Sequence, residues 1–129
     1  MAKKVLVVDD DRAFLGLIQD LLQSQNFEVI TAVNGKDAVD LARTCAPDLV
    51  LVDYLMPPGP SGMEVLKVLK SDPKLQAIPV ILCSSTKNTE EDGEMAKAAG
   101  AYGYIFKPFR GKEFISFVKT AMAIDDQSL

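Results

Sequence analysis

The stretch Asp48-Leu49-Val50-Leu51-Val52-Asp53, followed by Tyr54-Leu55-Met56-Pro57-Pro58-Gly59-Pro60, decides the fold. Leu49 to Val52 is an unbroken apolar run, and it reads as a strand buried on both faces, the habit of parallel sheets covered by helices. Asp53 stands where that strand leaves the core, and a turn-rich loop follows at once. Similar runs lie on either side. Val5-Leu6-Val7-Val8 ends in Asp9-Asp10-Asp11, and Val80-Ile81-Leu82-Cys83 ends in Ser84-Ser85-Thr86. Phe27 to Ala32 alternates as a strand nearer a sheet edge. Tyr104-Ile105-Phe106 is a short fifth strand that ends at Lys107-Pro108.

Helical patterns fill the gaps. Phe14, Leu17, Ile18 and Leu21 form an inward stripe that Leu15 and Leu22 widen, with Asp11 placed as the cap. Asn34-Gly35 is a turn signal. The helix after it carries Ala38, Leu41, Ala42 and Cys45 on one face and stops at Pro47. Ser61 caps a helix from about Gly62 to Lys70, with Val65, Leu66 and Leu69 inward. Asn88 to Ala99 is a weaker helix, because Gly93 costs about 1 kcal/mol against alanine, and Gly100 suits its C-terminal cap. Phe114, Phe117, Val118 and Ala121 mark the last helix. Strand–helix alternation of this kind implies right-handed crossovers. The expected fold is α/β: a five-stranded parallel sheet, order 2-1-3-4-5, with helices on both faces in a flavodoxin-like three-layer arrangement. Residues 1–124 make one domain, and 125–129 a polar tail.

Composition narrows the function. A chain of 129 residues allows one domain with a real core. The net charge is -4 with Lys and Arg scattered, so this domain lacks the basic face that direct nucleic-acid binding needs. The absence of histidine removes zinc chemistry and His-based acid/base catalysis. Cys45 and Cys83 lie in different elements, outside any CxxC pattern, and read as small buried apolar residues. No run is long enough for a signal peptide or a membrane span, so a cytoplasmic location without membrane association is expected.

In the 2-1-3-4-5 order the ends of strands 1, 3, 4 and 5 are neighbours, and ligands bind outside them. Those ends carry Asp9 and Asp10, Asp53, Ser84, and Lys107. Taken singly, each is most often a cap, a turn residue or a solvated lysine. Together they suit phosphoryl chemistry. Adjacent carboxylates repel unless a cation joins them, and an open oxygen site favours Mg2+. Lys107 and the Ser84 hydroxyl can meet a phosphoryl group, whose transfer needs mainly positioning and charge stabilisation.

The chain resembles the receiver domain of bacterial two-component response regulators. The resemblance rests on Val5 to Asp11, Leu51-Val52-Asp53 with Met56-Pro57 and Gly62, Pro79 to Ser85, Gly100-Ala101, and Gly103-Tyr104 through Lys107-Pro108-Phe109. It implies that Asp53 accepts a phosphoryl group from a histidine kinase or histidine phosphotransfer protein. It also implies that Asp10, Asp53 and the Leu55 backbone carbonyl hold Mg2+, with Asp9 supporting through water. Ser84 and Tyr104 would switch together and alter the helix 4–strand 5–helix 5 surface, which would meet a downstream protein or effector domain or form a dimer. Lys107 would pair with the phosphoryl group, aimed by a cis bond before Pro108. Leu55 and Thr86 would tune the phosphoryl lifetime, apolar Leu55 lengthening it.

The loop Pro57 to Ser61 is one residue longer than usual and rich in proline. Ser61 replaces a common aspartate and Ser84 a frequent threonine. The stretch Thr86 to Ala99 is also longer by about one residue. Two alternatives stand beside the receiver. One is a pseudo-receiver, an interaction module that is not phosphorylated, although such domains usually lose one of the acidic, acceptor or lysine residues present here. The other is a haloacid-dehalogenase-type phosphatase using Asp9-x-Asp11, although Ala13 departs from that motif and Asp53 is left unexplained.

Overall fold

A computed structural model describes residues 2–54, 56, 59–84, 89–107 and 109–123, with the backbone alone for 89–92. Leu55, Thr86, the Pro108 peptide bond, Pro57, Pro58 and the tail 125–129 lie outside the described residues.

Five strands alternate with five helices: β1 Lys4–Val8, α1 Arg12–Gln23, β2 Glu28–Ala32, α2 Gly35–Cys45, β3 Leu49–Asp53, α3 Gly62–Ser71, β4 Val80–Ser84, α4 Thr89–Ala98, β5 Gly103–Phe106 and α5 Gly111–Ala121. The sheet is parallel throughout, in the order β2-β1-β3-β4-β5. This is the fold that the alternation predicts.

Side chains alternate across a strand, so residue parity sorts the core into two layers. Leu6, Val8, Val50, Val52, Val80 and Leu82 pack with Ala38 and Ala42 of α2, Val65, Leu66 and Leu69 of α3, and Ala96 of α4. Val5, Val7, Leu49, Leu51, Ile81 and Cys83 pack on the other face with Leu15, Ile18 and Leu22 of α1 and Phe114, Ile115 and Val118 of α5. Both layers are closed to water, as the apolar runs of β1, β3 and β4 require.

Three local readings change. The buried stripe of α1 is Leu15, Ile18 and Leu22, while Leu17 is 68% exposed. Apolar residues cover so much of this helix that its inward direction is set by the sheet, not by apolarity alone. Asn34, read with Gly35 as a turn signal, is the cap of the helix that follows: its side chain accepts from the Asp37 amide at 2.8 Å. Gly35 then opens α2, where a Cβ would lie 2.9 Å from the Pro60 carbonyl oxygen. Cys45 is half-buried, with Cys83 alone fully buried; burial pushes the Cys83 thiol up to about 12, which keeps it neutral.

Other caps match the sequence pattern. The Asp11 carboxylate accepts from the amides of Ala13 and Phe14. Ser61 and Glu64 form a reciprocal capping box at the start of α3. Gly100, with φ of 105°, follows α4 where a left-handed residue is needed.

Candidate functional site

Register brings the site residues level with one another. Val8 pairs with Val52, so Asp9 and Asp53 follow side by side at the ends of β1 and β3. Asp53 in turn pairs with Cys83 and Ser84 with Phe106, which puts Lys107 just beyond. Backbone bonds fasten these ends: Asp9 N donates to Ala32 O, Tyr54 N to Cys83 O, and Lys107 N to Ser84 O.

Parity then divides the polar residues. Asp9, Asp53 and Lys107 continue the odd-numbered set that faces α1 and α5. Ser84 and Tyr104 continue the even-numbered set that faces α2, α3 and α4. The structure accordingly joins Lys107 to the acids directly. Its Nζ donates to Asp9 Oδ2 at 2.6 Å and lies 3.6 Å from Asp53 Oδ1. Ser84 is buried on the opposite face. The Tyr104 hydroxyl is also buried, and the Tyr104 ring lies between Tyr54, 6.2 Å away, and Phe106, 5.0 Å away.

Asp9, Asp10 and Asp53 each offer a carboxylate oxygen within 4.8 Å of the others. Asp9 is buried, Asp53 half-buried and Asp10 exposed, so the cluster opens to solvent on the Asp10 side. Burial, first, and the Asp9 and Asp10 carboxylates push the Asp53 carboxyl up to about 6, with Lys107 offsetting only part of the rise. For Lys107, burial alone would lower the pKa. The hydrogen bond to Asp9 and the nearby carboxylates outweigh it, so the ammonium is held above its ordinary value. One lysine thus does not neutralise this cluster. A hard divalent cation suits what remains, an oxygen donor set with an open side.

Asp11 takes no part in the cluster. Its amide donates to Asp9 Oδ1 at 2.9 Å, and its carboxylate is engaged as the α1 cap. That engagement counts against Asp9-x-Asp11 as a phosphatase pair. Sequence reasoning placed Phe14 in the core stripe and missed its other contact: Lys107 Nζ lies 3.9 Å from the centre of the Phe14 ring. No sequence spacing signals a meeting between the first turn of α1 and the end of β5.

Fold and cluster define a class: a doubly wound α/β domain with an acidic, cation-suited cleft at the β1/β3 switch point. Residues 5–119 match the response regulator receiver domain family, and the chain belongs to it. It is a signalling phosphoacceptor, not an enzyme that turns over a separate substrate. Among relatives, the polar-differentiation response regulator DivK of Brucella anthropi is 38% identical over 120 residues, 93% of this chain and 96% of that protein. The chemotaxis response regulator CheY4 of Vibrio cholerae is similar in structure, with a TM-score of 0.86 at 26% identity over 94% of this chain and 99% of that one. The receiver domain of sensor histidine kinase PA1611 from Pseudomonas aeruginosa PAO1 has the same fold. Its TM-score is 0.85 at 21% identity, covering 95% of this chain and 99% of that one, and it holds a magnesium ion in its active site cleft. Membership implies a histidine kinase as partner. Among the described residues no helix is long and apolar enough to cross a membrane.

Proposed function

We propose that Asp53 is the phosphoryl acceptor of a cytoplasmic response regulator, taking the group from a histidine kinase or a histidine phosphotransfer protein. The observation that carries this is the position of Asp53 between Asp9, Asp10 and Lys107 at neighbouring strand ends, with a carboxyl pushed up to about 6. The site has a shortage of positive charge and a side open to a donor.

In the transfer, an Asp53 oxygen attacks phosphorus in line with the nitrogen of the donor phosphohistidine. The O–P bond forms as the P–N bond breaks, and the electron pair leaves on the imidazole nitrogen. Asp10, Asp53 and the Leu55 carbonyl would hold Mg2+, with Asp9 in support. When bound, the ion neutralises charge on the phosphoryl oxygens. Lys107, already beside Asp53, supplies a positive charge to the same oxygens. Leu55 and Thr86 would set the hydrolysis rate by flanking the path of water.

Ser84 and Tyr104 would report the new charge to the α4–β5–α5 edge of the sheet. The exposed side chains of Met95, Tyr102 and Phe106 on α4, β5 and the turn between them support that side as the output surface. It would bind a downstream protein or a second copy of this chain. Residues 1–124 would form the receiver and 125–129 a polar extension.

Incubation with acetyl phosphate and Mg2+, followed by intact mass, tests the reading. The native protein should gain one phosphoryl group; Asp53→Asn, or native protein with a chelator, should gain none. Full labelling of Asp53→Asn would sink it.

A further inference from the structure

We infer that Phe14 is a positioning residue for phosphoryl transfer, because its ring holds the Lys107 ammonium at the acceptor when Asp9 is otherwise engaged. The inference rests on the reading of Asp53 as acceptor and Lys107 as its counter-charge.

Lys107 has a long flexible stem, and an ammonium is a point charge without the fixed geometry of a guanidinium. Something must aim it. Asp9 does so here, at 2.6 Å, whereas Asp53 is farther, at 3.6 Å. Yet Asp9 belongs to the carboxylate cluster that suits a cation. Any cation there shares the Asp9 charge and weakens its hold on Lys107 during the reaction. The Phe14 ring has no such conflict. It binds no hard cation through oxygen, does not titrate, and attracts the ammonium through its π face.

The ring is itself fixed. Asp11 Oδ1 accepts from the Phe14 amide at 3.2 Å, and the Asp11 amide donates to Asp9 Oδ1 at 2.9 Å. Asp9, Asp11, Phe14 and Lys107 therefore close a circuit. The Phe14 ring also meets Phe109 edge to face at 6.0 Å, and Phe109 stacks on buried Phe114 at 4.9 Å. This aromatic series ties the ammonium to the α5 core. The side chain of Lys107 is only 19% exposed, so the contact operates with little screening by water.

Two measurements test this. In the native protein by NMR, ring current from Phe14 should shift the Lys107 ε-methylene protons upfield. The shift should vanish in Phe14→Leu, which keeps apolar bulk, and persist in Phe14→Tyr. In kinetics with acetyl phosphate at saturating Mg2+, Phe14→Leu should lower the maximal phosphorylation rate about fivefold. Its half-saturating donor concentration should hold, and Phe14→Tyr should restore the rate. An unshifted Lys107 resonance in the native protein overturns the inference without any variant. So does a native rate in Phe14→Leu, or an equal loss in Leu and Tyr variants, which would mark a packing role. A native protein that takes no label defeats the acceptor reading instead, so the two failures are distinct.

Discussion

At the acidic site, charged groups are tied in place: Lys107 to buried Asp9, Asp9 to the Asp11 amide, Asp11 to the first turn of α1. The α4–β5–α5 side is built in the opposite way. Met95 is 54% exposed and Tyr102 41%, and an open cavity of about 640 Å3 lies among Gly93, Lys97, Tyr104 and Phe117. One region is fixed before any ligand arrives, and the other has room to repack. The difference fits a switch. Chemistry gains from groups that need no reorganisation, whereas a readout needs two arrangements close in free energy. Tyr104 lies where they meet, its ring between Tyr54 beside the acceptor and Phe106 on the outer face.

The largest effect should follow from neutralising the fixed region. Asp53→Asn removes phosphorylation, and it should also stabilise the metal-free protein at neutral pH. The folded-state pKa of Asp53, about 6, exceeds its unfolded value. Between about pH 4 and 6 the folded state therefore binds more protons than the unfolded state, and native stability falls as pH rises. Asparagine escapes this fall. Unfolding free energies from urea titrations in chelator should converge below about pH 4 and favour Asp53→Asn by about 3 kcal/mol at pH 7.5. Added Mg2+ should narrow the gap by binding the native fold alone. A gap that does not change with pH would mean that Asp53 is not strained by its neighbours.

Much of this contrast was legible in the sequence. The apolar runs Val5–Val8, Leu49–Val52 and Val80–Cys83 are enough to bring Asp9, Asp53 and Ser84 to neighbouring strand ends, but strands buried on both faces do not show which residues share a face, and only the register sorts Asp9, Asp53 and Lys107 from Ser84 and Tyr104. Caps were legible at Asp11 and Ser61, because a short polar residue before an amphipathic run has a local mechanism. Leu17 was misread for a physical reason: Leu15, Leu17, Ile18, Leu21 and Leu22 leave the stripe too broad to centre without the sheet. Asn34-Gly35 fits a turn or a helix start, and only the following α2 backbone decides. The Phe14–Lys107 contact joins distant elements and leaves no periodic trace.

A next effect comes from the junction between β3 and α3, where backbone meets backbone. A Cβ on Gly62 would lie 2.3 Å from the Asp53 carbonyl oxygen and 3.0 Å from Tyr54 Cα. Neither atom belongs to a flexible side chain, so Gly62→Ala must move the end of β3. A stability loss of about 2 kcal/mol is expected, with slower labelling by acetyl phosphate because Asp53 moves with it. Unchanged labelling in a destabilised variant would show that the acceptor tolerates displacement and that the fixed region is less exacting than its contacts suggest. Ser61→Ala, one residue earlier, should lose about 1 kcal/mol through the capping box alone. Ser61→Asp should recover most of it, as thermal unfolding would show.

The smallest effect sharpens the other side of the comparison. Gly93 and Gly16 both lie within helices, and a Cβ on either meets nothing within 4 Å. Replacement by alanine should therefore stabilise each helix by about 0.5–1 kcal/mol, through reduced backbone freedom in the unfolded chain and better helix propensity. The consequences should differ. Gly16→Ala stiffens α1, whose capped first turn already holds the acidic site, so amide exchange near Tyr104 should stay native. Gly93→Ala stiffens the helix that borders the open cavity, so exchange in α4 and β5 should slow while the phosphorylation rate holds. If both variants slow exchange equally at Tyr104, the two regions are one cooperative unit and the contrast fails. If only Gly93→Ala does, opening of the α4 side is a local event that a single methyl group can suppress.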